Sequence, residues 1–308
     1  LQSRGLGDVY KRQYYNSEKN HDVLILGDCE VYENISPVTM WENYGISSYI
    51  RGSAEQLIWQ SYYLLEDTLK YEKPQVVIVN VLAMTQRDAK SEAYNRMTLD
   101  GMKLSKYKIA SIRESMTEDE NMASYIFPLL RYHSRWSELS SEDFRYMWKT
   151  PSVTTNGYLM QKGIRPVTTI PKAAPLANYT FSDRNMEYLD KIYSLCKDNG
   201  INLVLMKAPS VFPHWYDEWD KQVSDYADGH GILYLNTIDE AENIGIDYTT
   251  DTFDYGQHLN VEGAEKLSLY LGEQLVKNFR LTDHRQDESY KNAWQTIVNK
   301  YYEEKQGD

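Results

Sequence analysis

Five short apolar runs, each followed by a turn and then a stretch of helical periodicity, constrain this chain more than any other feature. The first is Val23–Leu26. A weaker one, Ser47–Ile50, ends at Arg51-Gly52-Ser53. The third, VVIVNVLAM, runs from Val76 to Met84; the fourth, NLVLMKAPS, follows Gly200; the fifth, GILYLNTID, spans Gly231 to Asp239. Between and after them, AEQLIWQSYYLLEDTLKYEK and VEGAEKLSLYLGEQLVKNF repeat apolar residues at helical spacing. Strand and helix alternating in this way predict a parallel sheet covered by helices on both faces.

The alternation breaks once, between Thr85 and Ser182. That interval carries helical segments and then a Pro/Gly/Thr-rich stretch from Pro151 to Ala177. An insertion of this kind in an α/β domain serves as a lid or a binding wall. The expected organisation is one domain over residues 21–280, with a mostly helical insertion at 85–182. A polar helix and tail follow at 281–308. Residues 1–20 are expected to be a leader outside the fold, because LQSRGLGDVYKRQ has no periodicity and reads as translated adapter sequence. A native amino terminus is expected upstream.

Charge and cysteine usage exclude several function classes. A net charge of −12 argues against a nucleic-acid partner and against docking on anionic lipid. Two cysteines, Cys29 and Cys196, give neither a disulfide framework nor a thiolate metal site. Cys196 recurs with Leu189, Ile192 and Tyr193 on one helical face and is expected to be buried and inert. The histidines are scattered without H-E-x-x-H, so no metal is expected. No Gly-rich phosphate loop follows the first strand, so no cofactor is expected. No run reaches 18 apolar residues, so no membrane-spanning segment is expected.

In an open parallel sheet, ligands bind beyond the carboxyl ends of the strands. Standing there are Cys29, flanked by Asp28 and Glu30; Gly52; Asn80; Lys207; and the loop DYTTDTFDYGQHLN with His258. A thiol, an approachable backbone amide, a side-chain amide, a cation, a carboxylate and an imidazole are the parts that acyl transfer needs. Cys29 opens a helix, whose amino-terminal dipole favours a thiolate, and the flanking acids partly offset that effect. The bland readings are a strand-end thiol for Cys29, a backbone-satisfying amide for Asn80, a solvated charge for Lys207 and a surface-loop histidine for His258.

LILGDCE, Gly52, Asn80 and DYGQHLNVEGAEKLS together resemble the blocks of the SGNH/GDSL hydrolases. The bacterial cell-envelope branch is the most similar, with its D-alanyl-lipoteichoic acid transfer protein and polysaccharide O-acetyltransferase domains. The resemblance covers roughly residues 21–84 and 185–278. It implies a three-layer α/β/α fold around a five-stranded parallel sheet of flavodoxin-like order 2-1-3-4-5. It further implies an esterase or O-acyltransferase acting on acylated envelope or extracellular glycans, at an extracytoplasmic or cell-surface location.

Carried over position by position, the resemblance makes Cys29 the nucleophile, Gly52 and Asn80 oxyanion donors, and His258 the base. Cys29 stands where the family has serine. The family acid stands three residues before the histidine, where this chain has Tyr255; Asp254, the nearer in the loop, is the expected acid, and Asp251 is the alternative. Substrate contacts are expected from Asp28, Glu30, Arg131, His133, Arg135, Lys207 and Trp215. The alternative is a non-catalytic accessory or binding domain in polysaccharide assembly that keeps the fold.

Overall fold

The computed structural model describes residues 13–127, 155–170 and 172–307. Its centre is a five-stranded, all-parallel sheet of order β2-β1-β3-β4-β5. The strands are β1 (Val23–Gly27), β2 (Ser48–Gly52), β3 (Val76–Asn80), β4 (Asn202–Lys207) and β5 (Leu233–Asn236). The register sets Gly27 beside Gly52 and Asn80 beside Met206, so the chemically distinctive residues fall on one edge of the sheet.

The period of two is visible in what each strand residue buries. Leu24, Leu26, Val77 and Val79 enter one core, and Val23, Ile25, Val76 and Ile78 enter the other. The first core is closed by α3 (Ile58–Thr68), α7 (Asp183–Asp198) and α8 (Asp217–His230). The second is closed by α1 (Cys29–Tyr32), α2 (Pro37–Tyr44), α10 (Val261–Asn278) and α11 (Glu288–Gln306). A four-residue helix, α9 (Ala241–Ile244), follows β5. Both sheet faces are therefore covered, which yields three layers.

Three expectations are corrected. The third apolar run is a strand only to Asn80; Val81–Thr85 is a 3-10 turn that stays buried. The supposed leader is part of the fold from residue 13. A 3-10 turn at Gln13–Asn16 places the Tyr14 ring 4.2 Å from the Arg51 guanidinium, and the Tyr15 hydroxyl donates to Asp67 at 2.6 Å. The carboxyl-terminal helix α11, expected only as polar, is anchored to the core at two points: the Trp294 ring stacks on Trp41 at 4.9 Å, and Tyr301 is buried.

The first part of the insertion builds core. It forms α4 (Glu92–Leu99), α5 (Lys106–Ser115) and α6 (Met122–Ile126), and Leu99, Ile112 and Tyr125 join the first core. After the interval, residues 155–158 lie along the edge of β2. There the Ile50 amide donates to Asn156 O at 2.9 Å, and Asn156 Nδ2 donates to Ser48 O at 3.0 Å. Gly157 has φ +86°, and a Cβ there would collide with the Ile50 carbonyl, so only glycine serves. This segment blunts an edge strand that would otherwise present unpaired backbone. Among the described residues no helix is long and apolar enough to cross a membrane.

Candidate active site

β1 ends at Gly27, where the crowding admits only glycine: a Cβ there would lie 2.7 Å from Asn80 Cβ. Asp28 then caps α1, its Oδ1 accepting from the Glu30 amide at 3.1 Å. Cys29 is the first residue of α1 and is partly exposed, whereas Cys196 is buried. Gly52 stands alongside, where a Cβ would press on Val31 Cγ2 at 2.9 Å and Gly27 O at 3.1 Å.

Beneath Cys29 lies a buried polar network tying together the ends of β1, β3 and β4. Lys207 Nζ donates to both Glu30 oxygens, at 2.7 and 2.9 Å, and also to Ala208 O at 2.7 Å and Ser210 Oγ at 3.0 Å. Asn80 Nδ2 donates to Asp28 Oδ1 at 3.1 Å and to Glu30 Oε2 at 3.0 Å. Its own Oδ1 accepts from the Ala208 amide at 3.3 Å. Burial and then the charge of Glu30 push the Asp28 carboxyl up to about 7, with partial relief from hydrogen bonds and Lys207.

That network corrects several expected roles. Lys207 is fully buried and its ammonium is occupied by Glu30, so it does not face a substrate. Both amide donors of Asn80 are engaged by carboxylates, so neither stands open for an oxyanion in this state. Glu30 and Asp28 are likewise internal, and substrate contact does not reach Glu30, which is 1% exposed. Trp215 is also turned inward: its indole belongs to the first core, and Nε1 donates to Asp220 at 3.2 Å. Arg131, His133 and Arg135 lie outside the described residues.

The histidine loop is built tightly. His258 Nδ1 lies 2.6 Å from Asp254 Oδ2, and the His258 amide donates to Asp254 Oδ1 at 2.8 Å. The spacing of four is accommodated by two consecutive left-handed residues, Tyr255 (φ +66°) and Gly256 (φ +90°), which fold the chain back on itself. Asp251 does something else. Its Oδ2 accepts from Lys266 Nζ at 2.6 Å and from the Asp247 amide at 2.8 Å, fastening the loop to α10. Gly263 permits that closeness, since a Cβ there would lie 2.6 Å from Asp251 O. The loop is held over α1 by Asn34, whose Oδ1 accepts from the Leu259 amide at 2.8 Å.

Sequence reasoning missed Glu33. Its Oε2 lies 3.4 Å from His258 Nδ1, and its Oε1 accepts from Gln161 Nε2 at 2.7 Å. The available signal was its place four residues after Cys29, one helical turn along the same face. Burial raises the Glu33 carboxyl; the His258 charge and the Gln161 hydrogen bond pull it back.

These acids set the protonation of both reactive groups. The Cys29 thiol is pushed far up, by burial first and then by Asp28, Glu30, Glu33 and Glu55. The thiolate expected from the helix dipole is overruled, because a four-residue helix contributes little against four carboxylates. For His258, burial works against the imidazolium. The Asp254 hydrogen bond and the charges of Glu33, Asp254 and Glu30 outweigh it and raise the pKa. No hydrogen bond joins Cys29 Sγ to His258 among the described residues.

A base must be neutral to accept a proton, so any activity that uses His258 is expected to rise with pH above the ordinary imidazole range, near 6.5. Glu33→Gln removes one of the charges that hold the proton on. The rising limb of the kcat/KM profile should therefore move to lower pH in this variant. An unmoved limb would show that Glu33 does not act on His258.

No protein-family model matches the chain, and no curated protein matches it. Solved structures do. A candidate acylhydrolase from Bacteroides fragilis is similar over 86% of this chain and 94% of its own, at 12% identity and a TM-score of 0.41. A protein of the G-D-S-L family from Desulfitobacterium hafniense is similar over 82% and 99%, at 12% identity and a TM-score of 0.40. A GDSL-like lipase from Bacteroides thetaiotaomicron is similar over 88% and 98%, at 12% identity and a TM-score of 0.40.

Proposed function

We propose that the chain is an esterase or O-acyltransferase of the SGNH type, working through Cys29, His258 and Asp254. The observation that carries this reading is the clamp of Asp254 on His258, with both carboxylate oxygens engaged. A clamp on Nδ1 leaves Nε2 as the proton acceptor and stabilises the imidazolium that forms. In this scheme Cys29 Sγ attacks the ester carbonyl as His258 takes the thiol proton. The alcohol departs with that proton and leaves a thioester, which water or a sugar hydroxyl then cleaves to restore the thiol. The Gly52 amide is the proposed oxyanion donor, since Gly52 ends β2 beside Gly27 and packs closely on α1, which Cys29 opens. The proposed substrate is an acylated envelope or extracellular glycan, met outside the cytoplasm.

The raised thiol is compatible with this scheme. The proton leaves within the reaction, as it does for a serine hydroxyl, rather than beforehand. Cys29→Ser is accordingly expected to retain ester cleavage, and Cys29→Ala to abolish it. Incubation with p-nitrophenyl acetate should add one acyl group to the intact mass, mapping to Cys29 and absent from Cys29→Ala. Modification confined to Cys196, or unimpaired turnover in Cys29→Ala, would sink the reading.

One observation favours a second reading, a non-catalytic glycan-assembly domain on the same fold. The Asn80 donors are occupied by Asp28 and Glu30, which leaves the oxyanion short of one partner. Under that reading no ester is cleaved at any pH and no adduct forms.

A further inference from the structure

A cavity of about 350 Å³ opens beside the carboxyl end of β2. Its lining runs from Gly52, Ser53 and Tyr32 to Leu64, Met97 and Tyr158. Tyr32 lies three residues after Cys29 on α1, and a Cβ on Gly52 would stand 3.3 Å from the Tyr32 ring. Glu55, within the 52–56 turn that supplies several lining residues, is close enough to bear on the Cys29 thiol. The cavity and the thiol are thus fixed to the same short helix and the same strand end.

We propose that this cavity holds the acyl chain of the substrate, and that the chain is a neutral, unbranched hydrocarbon of medium length. The proposal rests on the esterase reading above and names the acyl group it acts on. Several of the polar groups in the walls are spent within the protein. Arg51 spends its guanidinium on Leu64 O, Asp67 and Thr68, at 3.1, 3.1 and 2.8 Å, and on the Tyr15 hydroxyl at 3.1 Å. The Ser53 and Thr98 hydroxyls bond one another. Gln56 Nε2 donates to Arg51 O at 3.2 Å and to Ser61 Oγ at 3.0 Å. A charged acyl group would lose its water there with no opposite charge left to meet it, since Arg51 is already paired. An anionic one would also be opposed by the Glu33 and Glu55 charges that bear on Cys29. The volume lies at the small end of ordinary ligand pockets, suited to a single chain rather than a whole lipid.

The test uses the full chain, p-nitrophenyl esters from acetyl to decanoyl, and 1-decanol as an uncharged probe that cannot acylate. The expected kcat/KM rises about fourfold per added methylene until the cavity is full. Met97→Trp and Ala54→Trp fill the space from two sides, and each should collapse the decanoyl-to-acetyl ratio at least tenfold. Saturable 1-decanol binding by calorimetry should be present in the parent and lost in whichever variant melts like the parent. A flat chain-length profile, or a ratio unmoved in both variants, overturns the acyl role. Absence of 1-decanol binding overturns the cavity as an apolar site. If 1-decanol binds and is displaced by Met97→Trp while no ester is cleaved, the esterase reading fails and the acyl role falls with it.

Discussion

Asp254→Asn should lower kcat/KM for ester cleavage by about 10⁴-fold, the loss found when the orienting acid of a serine-protease triad is neutralised. The carboxylate does two things that an amide does not. It accepts the Nδ1 proton at 2.6 Å, which fixes the tautomer that leaves Nε2 basic, and its charge supports the imidazolium once the thiol proton has moved. The amide can turn its NH₂ toward Nδ1 and select the opposite tautomer. Asp251→Asn should behave differently. Asp251 is buried against Lys266 and the Asp247 amide, so its loss should cost stability, about 1–3 kcal/mol, with turnover per folded molecule within a few-fold of the parent. Steady-state kinetics alongside thermal unfolding separates the two. A reversed ranking would move the acid to Asp251 and overturn the loop geometry.

The choice between these two acids shows where sequence reading stops. Residue order favoured Asp254 only as the nearer in the loop and left Asp251 open, because the loop has one residue more than the spacing it resembles. What decides between them is backbone conformation at Tyr255 and Gly256, which no side-chain pattern encodes. The sheet was legible for the opposite reason. Strands buried on both faces read as unbroken apolar runs, and Leu24/Leu26 against Val23/Ile25 divides them between two cores. The strand ends were legible as positions and not as partners. Asn80, Glu30 and Lys207 lie at the carboxyl ends of the strands, but whether a polar side chain points up into a cleft or down between strands depends on its neighbours. Glu30 and Lys207 are 177 residues apart in sequence, and only the parallel order of β1, β3 and β4 brings them together. The tail was misread because Trp294 and Tyr301 are few apolar residues on a polar helix, yet they meet Trp41 and Tyr158.

Lys207→Met should destabilise the fold by about 3–5 kcal/mol, the range for removing one partner of a buried ion pair. The reason is the uncompensated charge that remains. Glu30 is as buried as Lys207, its nearest neighbours include the Asp28 carboxyl, and Asn80 alone cannot replace an ammonium that reaches both of its oxygens. Glu30 would have to bind a proton to stay inside, and the penalty should therefore shrink as the pH of the unfolding experiment is lowered. Adding Glu30→Gln to Lys207→Met should restore most of the loss at neutral pH. The amide carries no charge, and its carbonyl oxygen can still accept from Asn80. A merely bulky or badly packed methionine would not be rescued in this way, so the double variant isolates the electrostatic cause. The same pair also decides the question the sequence posed about Lys207. A lysine that held an anionic substrate would leave stability unchanged on replacement and raise KM instead. A lysine that anchors Glu30 beneath Cys29 lowers the urea midpoint first, and affects catalysis only through the footing of α1.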